Sequence, residues 1–228
     1  MAVSFEIAGI DSILVRFSDQ TSVDLLFRIA LVQQQIKSKL TSVVVDLIPS
    51  YTSLLVVYDL QKIQYDQMQR LLTKIIDHLP VHEKTELLDE IIEIPVCYDP
   101  EVAPDIELLS AQTNLSCDDI IQLHQAIEYR VFAVGFSPGF GYLGHLDKRL
   151  QMARLATPRT RVPAGSVAIA EAYTAVYPQE SPGGWWLIGR TTLNLFDKTR
   201  QPPGLLSVGK KVKFKAISLQ DYHLRMLT

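Results

Sequence analysis

Glycine divides this chain. Gly9 is the only glycine before Gly135, and the other ten of the 11 lie between Gly135 and Gly209, together with seven of the 12 prolines. Glycine reaches backbone angles closed to other residues and proline fixes its own, so a segment rich in both is built of tight turns and short elements. The glycine-poor part must instead consist of longer regular elements. Two domains of different character are expected: a small α/β domain over residues 1–97 and a β-rich domain over residues 98–228.

With 228 residues, 47% of them hydrophobic and 21% charged, the chain can bury real cores, which excludes a disordered or low-complexity polymer. A formal net charge of -3 argues against a nucleic-acid partner, because such domains carry a basic surplus. Cys97 and Cys117 form no CxxC pair, so neither a disulfide framework nor a zinc knuckle is expected, and a reducing cytoplasm is the default location. The first residues lack the basic and apolar regions of a signal peptide. No run approaches the roughly 18 apolar residues of a membrane span, so no membrane association is expected.

In the first part, Ile13, Val15 and Phe17 alternate with Ser12, Leu14 and Arg16, the pattern of a strand that follows a turn near Gly9. A helix is expected from about Ser22, with Leu25, Leu26, Ile29, Ile36 and Leu40 at helical spacing. Segments 43–48 and 54–58 read as strands. Met68, Leu71, Leu72, Ile75, Ile76 and Leu79 then form the buried stripe of a second helix, which Pro80 ends. Segment 91–96 supplies a further strand. This β-α-β-β-α-β order, with an added N-terminal arm, is the split βαβ or ferredoxin-like arrangement. It hosts many functions and identifies none.

A linker after Pro95 leads to a short helix near 106–112 and to Ser116-Cys-Asp-Asp119, a capping box that opens another helix. Beyond the strand 130–136 the apolar runs are short, as in a compact β-barrel or sandwich with long loops. Trp185 and Trp186 point to opposite faces of a strand, so at most one is expected in a core.

Several motifs invite chemical readings. Gly135-Phe-Ser-Pro-Gly139 matches the G-x-S-x-G elbow, but the residue after the serine must donate its amide to an oxyanion, and Pro138 has none. Gly139-Phe-Gly-Tyr-Leu-Gly144 matches G-x-G-x-x-G, yet no Asp or Glu occurs between Asp147 and Glu171 to hold a ribose. His145 stands where a Walker lysine would be. What remains is a glycine-rich loop exposing Phe136, Phe140 and Tyr142, either a structural turn or a surface that a ligand approaches closely. Arg159 and Arg161 fall on one side of an extended segment, where guanidinium forks can hold a carboxylate or phosphate. His124 shares a helix face with Ile120 and Ile127, as a hydrogen-bonded core histidine would. No histidine spacing suggests a metal site.

Three blocks in order, Gly135 to Leu143, Thr157 to Ile169 and Tyr177 to Thr191, together with His124 and Tyr129-Arg-Val131, resemble the KipI and 5-oxoprolinase B-subunit family, also labelled allophanate hydrolase subunit 1. The resemblance covers nearly the whole chain. It implies an α+β fold class, with a ferredoxin-like α/β domain followed by a cyclophilin-like β-barrel. It also implies a non-autonomous subunit of a 5-oxoprolinase that opens 5-oxoproline to glutamate with two partners, one of type A and one, KipA-like, of type C. ATP, with Mg2+, would be bound by the complex, and no tightly held cofactor is expected in this chain. The substrate- or nucleotide-binding candidates are His124, Pro138, Gly139, Phe140, Gly141, Tyr142, Arg159, Arg161, Gly165, Ser166, Tyr177, Gly183, Gly184 and Arg190. No catalytic residue is assigned. The resemblance carries two alternatives, a protein inhibitor of a sensor histidine kinase and a relative of the urea carboxylase carboxyltransferase region. Gly, Pro and Arg blocks around one loop system suit a concave site, which favours the enzyme reading.

Overall fold

The N-terminal alternation becomes a hairpin. In the computed structural model, which describes residues 3–79 and 91–227, β1 (Ser4–Gly9) pairs antiparallel with β2 (Ser12–Arg16). Ile13, Val15 and Phe17 are buried, as their alternation requires. The Ser22 hydroxyl accepts from the Leu25 amide and starts α1 (Val23–Lys39). β3 (Val44–Ser50), β4 (Ser53–Tyr58) and α2 (Tyr65–Asp77) follow. The sheet order is β1-β2-β4-β3 with antiparallel neighbours, so β2 and β3 run the same way with β4 between them. That is the split βαβ unit. Ile29, Val32 and Ile36 of α1 and Met68, Leu72 and Ile75 of α2 close over Ile13, Val15, Leu54 and Val56. Pro80, expected to end α2, lies outside the described residues.

The last strand of that arrangement requires a correction. β5 (Ile91–Cys97) belongs to the second of two compact units, which divide the chain into Met1–Leu88 and Asp89–Thr228. It runs parallel to β13 (Lys211–Ile217), from Ile91 opposite Lys211 to Cys97 opposite Ile217. A parallel partner that distant in sequence leaves no local mark on either strand. In the first sheet, β1 occupies the edge that the sequence reading gives to segment 91–96.

The second unit continues with α3 (Ile106–Thr113), α4 (Cys117–Ala126), β6 (Tyr129–Val134), β7 (Gly141–Gly144), β8 (Arg159–Val162), β9 (Ser166–Ala170), β10 (Tyr173–Val176), β11 (Ser181–Gly183), β12 (Trp186–Arg190), β13 and α5 (Leu219–Met226). Seven strands close into a barrel in the order β10-β7-β6-β13-β5-β12-β9, while β8 and β11 form a separate ribbon. The expected capping box opens α4: Ser116 Oγ accepts from the Asp119 amide at 3.0 Å and the Asp119 carboxylate accepts from the Ser116 amide at 3.1 Å.

Strand alternation sorts the apolar side chains of β9, β10 and β12 into two clusters. Val167, Ile169, Trp186 and Ile188 join Ile94, Val96 and Phe214 in the main core, which Ile106, Leu109 and Ile120 of α3 and α4 complete. Ala168, Ala170, Ala175 and Leu187 face the other way, onto Phe140, Val162, Tyr177 and Trp185. Both tryptophans are therefore buried, Trp185 to 6% and Trp186 to 5% exposure. The expectation of at most one core tryptophan fails because the ribbon and the Phe140 loop give the strand's second face an apolar cover.

Candidate functional site

The second cluster is the floor of the candidate site. Small Ala168 and Ala175 on adjacent strands leave room for large rings above them. Phe140 meets Tyr142, Tyr177 and Trp185 edge-on, at centroid distances of 4.9, 5.3 and 6.0 Å. Such edge-to-face contacts hold rings in fixed orientations. Phe140, expected to be exposed, is only 2% exposed because it is the hub of this cluster, whereas Phe136 remains 62% exposed. Phe136 also holds a left-handed φ of 73° at the tip of a loop closed by the Gly135 amide on Phe140 O and the Phe140 amide on Ser137 O. A non-glycine residue in that region is strained, and its neighbours must hold it there. Pro138 is exposed on the same loop.

Burial, the larger influence, pushes the Tyr177 phenol up to about 12, with Tyr142, Arg154 and Arg159 also acting on it electrostatically. Burial likewise raises the Tyr142 phenol, against the opposing pull of Arg154. Two phenols, neutral at physiological pH, thus share a neighbourhood with two guanidinium groups.

Arg159 and Arg161 do not form the joint fork expected of them. Arg161 is exposed and grips Glu180 with Nε and Nη2, both at 3.0 Å. Arg159 is partly buried and donates through Nη2 to Asp105. Asp105 is 4% exposed and also accepts the Leu187 amide at 2.7 Å, so it ties α3 to β12 while fixing the guanidinium. Asp105 is absent from the sequence candidates; the signal available was an acidic residue just ahead of a predicted helix. Arg190 donates from Nε to Ala164 O at 3.0 Å and clips that turn.

The glycines also need correction. Gly139 does sit in a loop, with φ 85°, but Gly141 and Gly144 belong to β7 rather than to a ligand loop. A Cβ on Gly141 would meet Leu206 at 2.8 Å, and one on Gly144 would meet the Tyr173 ring at 2.9 Å. These glycines permit close packing inside the protein. Gly165, with φ 78°, and the buried Ser166 exchange backbone hydrogen bonds with Tyr177, and Gly183 makes room for its hydroxyl. The Gly184 carbonyl accepts from the Leu155 amide.

His124 is removed from the site. It is fully buried, and both ring nitrogens are engaged, Nδ1 with the Tyr98 hydroxyl at 2.7 Å and Nε2 with the Thr174 hydroxyl at 2.9 Å. Thr174 gives its one proton to Ala168 O, so Nε2 carries the hydrogen and Nδ1 accepts from Tyr98. The core-histidine reading describes it. Ser137 Oγ, on the same loop as Phe136, is buried without a hydrogen-bond partner.

Comparison with known proteins places this geometry in a family. The model described as "Carboxyltransferase domain, subdomain C and D" matches residues 3–206. The 5-oxoprolinase B subunit of Bacillus subtilis (strain 168) is 40% identical over 188 residues, covering 78% of each chain. The chain therefore belongs to the carboxyltransferase subdomain C and D family and, within it, to the 5-oxoprolinase B-subunit family. The crystal structure of TTHA0988 has a TM-score of 0.79 at 32% identity over 91% of this chain, which spans only 40% of that one. The Kluyveromyces lactis urea carboxylase shares the fold, with a TM-score of 0.76 at 17% identity over 97% of this chain and 22% of that protein.

Proposed function

We propose that this chain is the B subunit of an ATP-dependent 5-oxoprolinase, a cytoplasmic complex with A-type and KipA-like C-type partners that hydrolyses 5-oxo-L-proline to L-glutamate. The observation that carries the reading is the identity to the Bacillus subtilis B subunit over 78% of both chains. The site supports it in kind: a fixed guanidinium near the neutral Tyr177 phenol, over an aromatic floor, suits a small ring that bears an acid group. In this reading Arg159 and the Tyr177 phenol orient the ring acid, and the buried rings exclude water from one side of it. Among the described residues no three His, Cys, Asp or Glu side chains stand grouped to hold a metal ion. In this reading ATP, with Mg2+, is taken up by the assembled complex.

Reconstitution with the A-type and C-type partners tests the reading through glutamate release from 5-oxoproline with and without ATP. Release that needs both ATP and this chain supports it. A well-assembled complex that releases none sinks it. The exposed, strained Phe136 would then favour the second reading, an inhibitor that acts by contact with a sensor histidine kinase, and binding to such a kinase becomes the measurement.

A further inference from the structure

Among the described residues, four buried side-chain polar atoms lack a hydrogen-bond partner: Ser137 Oγ, Arg159 Nη1, Ser181 Oγ and Arg200 Nε. The first three belong to segments that converge on Tyr177. Ser137 follows Phe136, whose ring stands 6.2 Å from that of Tyr177. Arg159 and Ser181 lie on the paired strands β8 and β11, and Gly183, opposite Arg159 in that ribbon, lies against the Tyr177 hydroxyl.

All three atoms are hydrogen-bond donors, and the guanidinium nitrogen can only donate. Folded proteins leave few buried donors unpaired because each such group has lost water without replacement. Arg159 cannot turn to find an acceptor elsewhere, since its other arm is held by Asp105, itself fixed on the Leu187 amide. A group rich in acceptor oxygens at the Tyr177 end of the ribbon would satisfy those it reaches, Arg159 Nη1 first.

We propose that Arg159 Nη1, Ser181 Oγ and Ser137 Oγ form an oxyanion site, with Asp105 as the positioning residue, for a carboxylate or phosphoryl group of a small ligand. The inference rests on the proposed function for the origin of that group. A ring-lactam acid offers the carboxylate and an ATP-dependent reaction offers the phosphoryl oxygens.

The test is calorimetric titration of the full chain with 5-oxoproline, with 2-pyrrolidone and with inorganic phosphate. The same series is run on Arg159→Lys and Ser181→Ala. 5-Oxoproline bound in preference to 2-pyrrolidone, the same ring without the acid, identifies the carboxylate; bound phosphate identifies the phosphoryl source. Either affinity should fall about tenfold or more in Arg159→Lys, which keeps the charge facing Asp105 and loses the second donor arm, and by a few-fold in Ser181→Ala. Failure of both oxyanions to bind, or unchanged affinity in both variants, overturns the site. If Arg159→Lys melts early, Ser181→Ala decides alone, because its hydroxyl holds nothing in the structure. Binding with these losses, in a complex that turns over no lactam, leaves the site standing and removes the reaction. Lactam turnover with KM unchanged in both variants leaves the reaction and removes the site.

Discussion

His124 spends both ring nitrogens inside the core, stacked 4.4 Å from Phe214, and its own carbonyl accepts from the Tyr129 hydroxyl at 3.0 Å. Removing the ring leaves a cavity and strands the Tyr98 and Thr174 hydroxyls. His124→Ala should therefore cost about 3 kcal/mol or more, read from urea unfolding. A smaller cost, near that of a surface substitution, would contradict the network. Burial also depresses its pKa from 6.5 to about 3. The folded pKa lies below the unfolded one, so the native state favours the neutral ring. This stability is whole above about pH 6.5 and drains as pH falls from there toward about 3, on the order of 1.4 kcal/mol per unit. Melting curves at about pH 7 and about pH 4.5 should thus diverge more for the wild type than for His124→Gln. Parallel shifts in the two proteins would refute the linkage. The core role was legible from helical spacing beside Ile120 and Ile127. The partners were not, because Tyr98 and Thr174 lie 26 and 50 positions away.

At the scale of elements, the glycines separate turns from packing. Gly165 combines a left-handed φ with the Thr191 carbonyl oxygen only 2.2 Å from where a Cβ would stand. Gly165→Ala should destabilise by about 2 kcal/mol or more, since backbone must move. Gly135 has nothing within 4 Å of that position, and Gly135→Ala should stay within about 0.5 kcal/mol. Thermal denaturation of both variants checks the contrast, and equal losses would overturn it. Gly183 differs again: a Cβ there would lie 2.3 Å from the Tyr177 hydroxyl, the movable end of a side chain. Gly183→Ala should displace Tyr177 and raise the KM of the reconstituted complex several-fold, on the order of 1 kcal/mol of binding. An unchanged KM would detach Tyr177 from the site. The sequence marks where these glycines stand, but a missing Cβ serves a ligand or a neighbouring strand equally well. Only the partner strand's position decides, which is why Gly141 and Gly144 read as a ligand loop and fold as β7.

For the molecule as a whole, the order of local elements was readable and the ownership of one strand was not. Segment 91–97 carries the apolar residues of a strand whichever sheet receives it. Its long pairing is with β13, the last strand of the chain, and it meets β12 only at Cys97 opposite Arg190. Long-range parallel pairing leaves no periodicity in either strand, so the ferredoxin-like count absorbed the segment on order alone. The consequence can be tested by cutting the chain. A fragment of residues 89–228 retains every strand of the closed barrel, whereas one of residues 98–228 lacks the strand between β13 and β12 and exposes the edges of both. It also removes Ile94 and Val96 from the main core, at about 1.5–3 kcal/mol each. That total is a large share of a domain's usual stability. The longer fragment should melt cooperatively, and the shorter one should aggregate or show no transition by circular dichroism. Equal, cooperative melts from both would mean that β5 is dispensable to the barrel, and the boundary would then belong where the sequence alone would put it.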